Sequence, residues 1–222
     1  ALLAPPESLE DAPKTQAVAE VPRALDWAGT DVVLVTVDAL RADHVSSYGY
    51  ARPTTPAIDA LAARGTRFAH AYCATPHTSY SVTSMLTGKY MKPLLALGVG
   101  EGSETFPMHL QRYGYRTAAF YPPAVFFIDE ARFTSFRDTG LGFEYRKVEF
   151  AERTLRVEQI RRYLQNAPKD RPLFLWVHLF EPHEPYVTHA KHTFGTGARA
   201  TDVDAYDSEV AEADETVGDI VR

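Results

Sequence analysis

The sequence predicts an α/β fold: a three-layer αβα arrangement on a mostly parallel central sheet, apparently truncated on its C-terminal side. Three observations carry that expectation. Apolar runs of strand length stand within residues 31–38 and 172–180, and residues 116–121 read as a second core strand. Between them lie longer segments with apolar residues at three- and four-residue spacing, so strands alternate with helices as in parallel crossovers. The two apolar runs end on chemistry-bearing residues, Asp38 and the Glu181–His183 segment, where open sheets of this class bind their ligands.

Taken in order, residues 1–30 are rich in Ala, Pro and Glu and read as a linker or tether. Residues 31–222 read as the N-terminal part of a single larger domain. The run 31–38 makes a buried strand ending on Asp38. Thr55 as N-cap and Pro56 at the first helical position open a helix with Ile58, Leu61 and Ala62 as its apolar stripe, up to Gly65. Residues 67–72 suggest a short strand. The next helix holds Thr78 in its first turn, turns Val82, Met85 and Leu86 inward, and stops at Gly88. Residues 91–104 read as loop, and 106–113 as a helix ended by Gly114. After the core strand at 116–121, the segment 122–147 is irregular and aromatic, with Phe126, Phe127, Phe133, Phe136, Phe143 and Tyr145. It reads as an insertion packing its own rings, with a pocket wall as the alternative. Residues 150–167 form an amphipathic helix using Leu155, Ile160, Tyr163 and Leu164. Thr201 and Asp204 predict a capping box for a last helix that places Val203, Tyr206, Val210, Ala213, Val217 and Ile220 on one face. That pattern is still running at Arg222, which suggests the N-terminal part of a longer domain.

With 222 residues, 45% of them hydrophobic, the chain can bury a large core. A net charge of −6 and dispersed basic residues argue against nucleic acid as a partner. No apolar run approaches the ~20 residues that span a bilayer, and the first residues lack the pattern of a signal peptide. The opening tail suits a membrane tether outside this chain or a removed signal, and equally a ragged end. Cys73, the single cysteine, excludes an intrachain disulfide and reads as a small buried residue. His189 and His192 read as solvated loop residues. Nothing in the sequence specifies an oligomeric state.

Taken singly, each candidate site residue has an ordinary reading. Asp38 can cap the next turn, Thr78 can be a plain N-cap, and Arg41, Asp43 and His44 can form a surface network. His183 stands between Pro182 and Pro185, held by stiff backbone at a strand's carboxyl end. A hydroxyl at a helix N-terminus sits where N–H groups and the dipole favour negative charge. Asp38 and Thr78 are therefore expected to meet at one sheet edge, around a metal ion or a phosphate-like group.

The combination is more specific. Val-Thr-Val-Asp38-Ala-Leu-Arg41-Ala-Asp43-His44, Tyr48-Gly-Tyr50 and Thr54-Thr-Pro56-Ala-Ile-Asp59 resemble the start of the sulfatase branch of the alkaline phosphatase superfamily. The likeness continues through Pro76-His-Thr78, Ser84-Met-Leu-Thr-Gly88, Phe174-Leu-Trp-Val-His178, Glu181-Pro-His183-Glu-Pro-Tyr186 and Tyr206-Asp-Ser-Glu-Val210. It implies a metal-dependent hydrolase or transferase of phosphate or sulfate esters. By that resemblance Thr78 is the nucleophile and a metal ligand, Asp38 a metal ligand, and His183 a contact to the transferred group. Arg41 is a basic residue near the site.

The departures narrow the expectation. Sulfatases carry Cys or Ser in a Cys/Ser-x-Pro-x-Arg signature, where this chain has Thr78, Tyr80 and Val82, and Ala39 replaces the second aspartate of calcium-using members. A single carboxylate with threonine is more similar to the phosphoethanolamine and phosphoglycerol transferases and the nucleotide phosphodiesterases. The implied cofactor is one divalent cation, zinc or manganese before calcium, with further ligands expected beyond Arg222. The alternatives are a sulfatase with an atypical site and a degenerate domain kept for binding. An extracytoplasmic location, periplasmic or membrane-tethered, is expected over a cytoplasmic one.

Overall fold

The computed structural model describes residues 28–195, 197 and 200–222. Most of the expected N-terminal tether, residues 1–27, therefore lies outside the described residues. Four strands, β1 (Val32–Val37), β2 (Arg116–Tyr121), β3 (Tyr145–Val148) and β4 (Leu173–Leu179), form one all-parallel sheet in the order β1-β4-β2-β3. One face is covered by α2 (Thr78–Thr87), α3 (Met91–Ala96), α4 (Phe106–Arg112) and α5 (Thr134–Asp138). The other is covered by α1 (Pro56–Arg64), α6 (Arg153–Asn166) and α7 (Asp202–Val221).

The two-residue period of a strand sorts β4 between these layers. Phe174 and Trp176 enter the aromatic core with Phe133, Phe136 and Phe143, while Leu173, Leu175, Val177 and Leu179 join the aliphatic core with Ile160 and Val217. Truncating a ring as deeply buried as Trp176 or Phe174 to alanine costs about 3–5 kcal/mol. His178 continues the Trp176 row, and Thr36 stands opposite it across the β1–β4 ladder. Alternation thus aims Thr36, Asp38 and His178 toward the α2 face.

Several local expectations change. β1 is an edge strand among the described residues, so Val32 and Val33 are 39% and 50% exposed rather than buried. Residues 67–72 form no strand: Phe68 and Tyr72 are exposed, and β-propensity is of no use without a neighbouring strand to pack on. Residues 91–96, read as loop, form α3, because Met91 and Leu95 four residues apart bury one side of the turn. β3 emerges from the end of the aromatic segment as the far edge of the sheet. α6 buries Arg156 and Ile160, and its Leu155 and Leu164 face outward. Cys73 is exposed, not buried.

The capping box at Thr201 and Asp204 forms as expected. α7 also caps its neighbour. Thr55 turns its hydroxyl to Ser46, and the N–H groups of Ala57 and Ile58 donate instead to the buried Asp214 carboxylate, both at 2.8 Å.

Candidate active site at the carboxyl edge of the sheet

Because all four strands are parallel, their carboxyl ends open on one edge. The ladder runs one residue past β1, where the Asp38 N–H donates to Leu179 O at 2.9 Å. The chain then turns sharply: Ala39 has φ 53°, a left-handed conformation that costs a non-glycine residue about 1 kcal/mol. The Tyr206 hydroxyl of α7 holds this turn, donating to Ala39 O and accepting from Arg41 N–H, each at 2.8 Å.

α2 brings up the second residue. His77 is extended, Thr78 is the first helical residue, and Gly88 ends the helix with φ 67°. Val82 and Leu86 anchor it in the core, whereas Met85 faces the cavity. Thr78 Oγ1 donates to the Asp38 carboxylate, 3.1 Å from one oxygen and 3.0 Å from the other. The first N–H groups of a helix have no acceptor within it, so this hydroxyl sits beside backbone donors suited to an anion.

His178 approaches the same carboxylate from β4. Its side chain is only 4% exposed, and Nε2 lies 3.5 Å from Asp38 Oδ2 with no hydrogen-bond partner of its own. Its Nδ1 sits 2.7 Å from Thr36 Oγ1, which also accepts from Trp176 Nε1 at 3.0 Å. Burial works against ionisation of Asp38, but His178 and the Thr78 hydroxyl outweigh it and hold the carboxyl below its usual range. The sequence reading passed over His178. The available signal was a lone histidine inside a seven-residue run that is otherwise wholly apolar.

His183 lines the same cavity of 480 Å3 as Asp38, Thr78 and His178. Its ring stacks on Phe180, centroids 4.7 Å apart and planes at 16°. Its Nδ1 is 2.9 Å from Glu184 O. A carbonyl only accepts, so Nδ1 carries hydrogen and Nε2 is the atom left for the cavity. Cys73 is also at the cavity wall. Arg41 is not: its guanidinium pairs with Asp43 at the surface, with both side chains 64% exposed. His44 leaves the expected Arg41–Asp43–His44 network and bonds to Asp207 at 2.6 Å.

The donor chemistry at Asp38 fits a divalent cation: a carboxylate and a hydroxyl oxygen, with a buried imidazole nitrogen beside them. Among the described residues, the three-residue group of His, Asp or Glu close enough to share an ion is His192, Glu212 and Glu215, which lies outside this cavity. Its acids already face Arg153, and Glu215 also faces Lys191. His189 and His192 are likewise not solvated: they face Glu209 at 3.2 Å and Glu212 at 3.5 Å, strapping their loop to α7.

The family model described as Sulfatase matches residues 30–222. A comparison with curated protein sequences finds no match. Among solved structures, the chain is similar to the C-terminal periplasmic domain of EptC from Escherichia coli, with 19% identity and a TM-score of 0.65. That likeness covers 87% of this chain and 58% of that one. The same domain has also been solved in complex with zinc. The lipoteichoic acid synthase LtaP from Listeria monocytogenes matches with 15% identity and a TM-score of 0.66, over 87% of this chain and 51% of that one. Ps i-CgsB, in complex with k-i-k-neocarrahexaose, matches with 20% identity and a TM-score of 0.66, over 87% and 54%. The chain spans just over half the length of these structures.

Proposed function

The chain belongs to the sulfatase family, and on that premise we propose that it carries the nucleophile of a metal-dependent hydrolase or transferase of phosphate or sulfate esters, with Thr78 as the attacking residue. The observation that carries this reading is the Thr78 hydroxyl, at a helix N-terminus, donating to both oxygens of a partly buried carboxylate in an open cavity. A free threonine is a poor nucleophile and needs a base or a metal to become one. A divalent cation held by Asp38 and Thr78 would lower the hydroxyl's pKa and polarise the ester. A zinc complex of the EptC domain supports a cation of that kind.

The protein's own residues supply the rest. Asp38 accepts the hydrogen bond of the Thr78 hydroxyl and so orients Oγ1, whose proton passes to solvent as the hydroxyl ionises. The N–H groups opening α2 stabilise negative charge on the transferred group. Oγ1 forms a bond to phosphorus or sulfur as the ester oxygen departs, and His183, as an imidazolium with hydrogen on both ring nitrogens, uses Nε2 to hold that group or to give its proton to the leaving oxygen. Arg41, paired with Asp43 outside the cavity, takes no part in this scheme. The EptC domain is periplasmic, which supports an extracytoplasmic setting.

The test is an assay of the intact protein against aryl phosphates, phosphodiesters and aryl sulfates, with and without chelator. Chelator-sensitive turnover that Thr78→Ala abolishes is expected. Turnover persisting in Thr78→Ala removes threonine from the role, and no turnover of any ester favours a binding domain.

A further inference from the structure

We infer that the site takes esters whose leaving group is a hydrocarbon, aryl or alkyl, rather than a sugar or other polyol. This rests on the ester chemistry proposed above. A second cavity of 260 Å3 opens directly beside the nucleophile, sharing Asp38, Thr78 and His183 with the first. Its remaining wall is apolar: Ala124, Phe127, Ile128, Phe150 and Phe180, with Ser79 as the one further polar residue.

Three observations separate this wall from ordinary core. Residues 122–143 bury Phe126, Phe133, Phe136 and Phe143 to 5% exposure or less, yet leave Phe127 77% and Ile128 40% exposed at the cavity. Phe150, from the loop after β3, is 58% exposed and meets Phe180 edge to face at 5.2 Å. Two separate loops thus converge their exposed rings on one spot, and clustered apolar exposure of this kind marks a binding site. Phe180 in turn stacks on His183, so the ring wall continues to the residue facing the transferred group.

Size and polarity define the occupant. The volume lies below the ~300–1,000 Å3 of pockets that enclose a whole drug-sized ligand, so it suits one ring or a short chain. A sugar seated against Ala124, Phe127, Ile128, Phe150 and Phe180 would bury hydroxyls on side chains that offer no donor or acceptor, and each unpaired hydroxyl loses affinity. A hydrocarbon loses nothing there and removes the exposed rings from water.

Binding of non-hydrolysable phosphonates to the intact, zinc-loaded protein tests this by calorimetry. Phenyl- and butylphosphonate are expected to bind at least about tenfold tighter than dihydroxypropylphosphonate. Phe127→Ala and Ile128→Asn are each expected to cut that ratio at least threefold, with thermal melts verifying the fold. Equal affinities for butyl- and dihydroxypropylphosphonate overturn the inference while leaving the ester reading standing. A hydrocarbon preference that neither variant alters places the subsite elsewhere and overturns it too. If no phosphonate binds, the ester reading falls and takes this inference with it.

Discussion

Asp207 and Asp38 each face a histidine, and their surroundings are opposite. Asp207, on α7, is fully buried and saturated: His44, Tyr50 and Arg52 bond to it at 2.6, 2.7 and 2.6 Å. It also raises its neighbour, since burial and the bond to Asp207 push the Tyr50 hydroxyl to about 12. Asp38 is 15% exposed, takes one bifurcated hydroxyl bond, and faces a histidine nitrogen 3.5 Å away that has no partner. One carboxylate takes three short bonds from the loop after β1 and so holds α7 to it. The other keeps capacity for something that arrives. Saturation marks a structural acid, and incomplete satisfaction at a cavity marks a chemical one.

The strongest way to break that contrast is at the proposed nucleophile. Thr78→Ala is expected to lower turnover by at least about 10³-fold while leaving the melting temperature nearly unchanged; a large fall in melting temperature would show that the hydroxyl is structural. Next in size is stability. Asp207→Ala removes three bonds to a fully buried carboxylate, leaving the His44 ring without its partner and Arg52 with Asp204 alone, and is expected to cost about 3 kcal/mol in urea unfolding. Asp38→Asn is expected to cost under about 1 kcal/mol, because so little is bonded to it. Equal losses for the two variants would erase the distinction drawn here.

His178→Leu sharpens the comparison further. It removes the imidazole beside Asp38 and is expected to weaken zinc binding about 10–100-fold, read by competition with a chromophoric chelator. Unchanged affinity would make His178 a packing residue only. The smallest effect is in pH. The Asp38 carboxyl is lowered below its ordinary 3.8 on folding, so its ionised form stabilises the native state above that value. That contribution disappears as pH falls through the lower, folded-state value. Asp214 has the reverse sign: burial pushes it up despite its two N–H bonds. Its contribution is present below 3.8 and is lost as pH rises through its raised value. The stability gap between wild type and Asp38→Asn should therefore close below about pH 4, and a gap that widens there contradicts the assignment.

How much of this was legible in the sequence depended on whether the signal was local. Predominantly apolar runs gave β2 and β4, Gly88 and Gly114 gave two helix ends, and Thr201 with Asp204 gave the capping box. Asp38 and Thr78 were placed together because a strand end and a helix start each fix where a side chain goes. What failed depended on distant partners. β3 and the exposure of β1 follow from strand order, which no local pattern encodes. His192 seemed solvated until α7 supplied Glu212 and Glu215. Arg41 seemed close to the site because it follows Asp38 by three residues, but the turn at Ala39 sends its guanidinium outward to Asp43. The apolar wall at Phe127 was only half read, since six similar aromatics in one segment give no hint of which one stays out.

The left-handed Ala39 has a consequence for redesign. Aspartate and asparagine tolerate that conformation better than alanine does, because their short polar side chains can bond locally. Ala39→Asp would therefore set a second acid beside the first at little or no cost to folding, on a main chain already shaped to receive it. The proposed cation site is thus open to a second carboxylate by a single codon, with the scaffold left as it is.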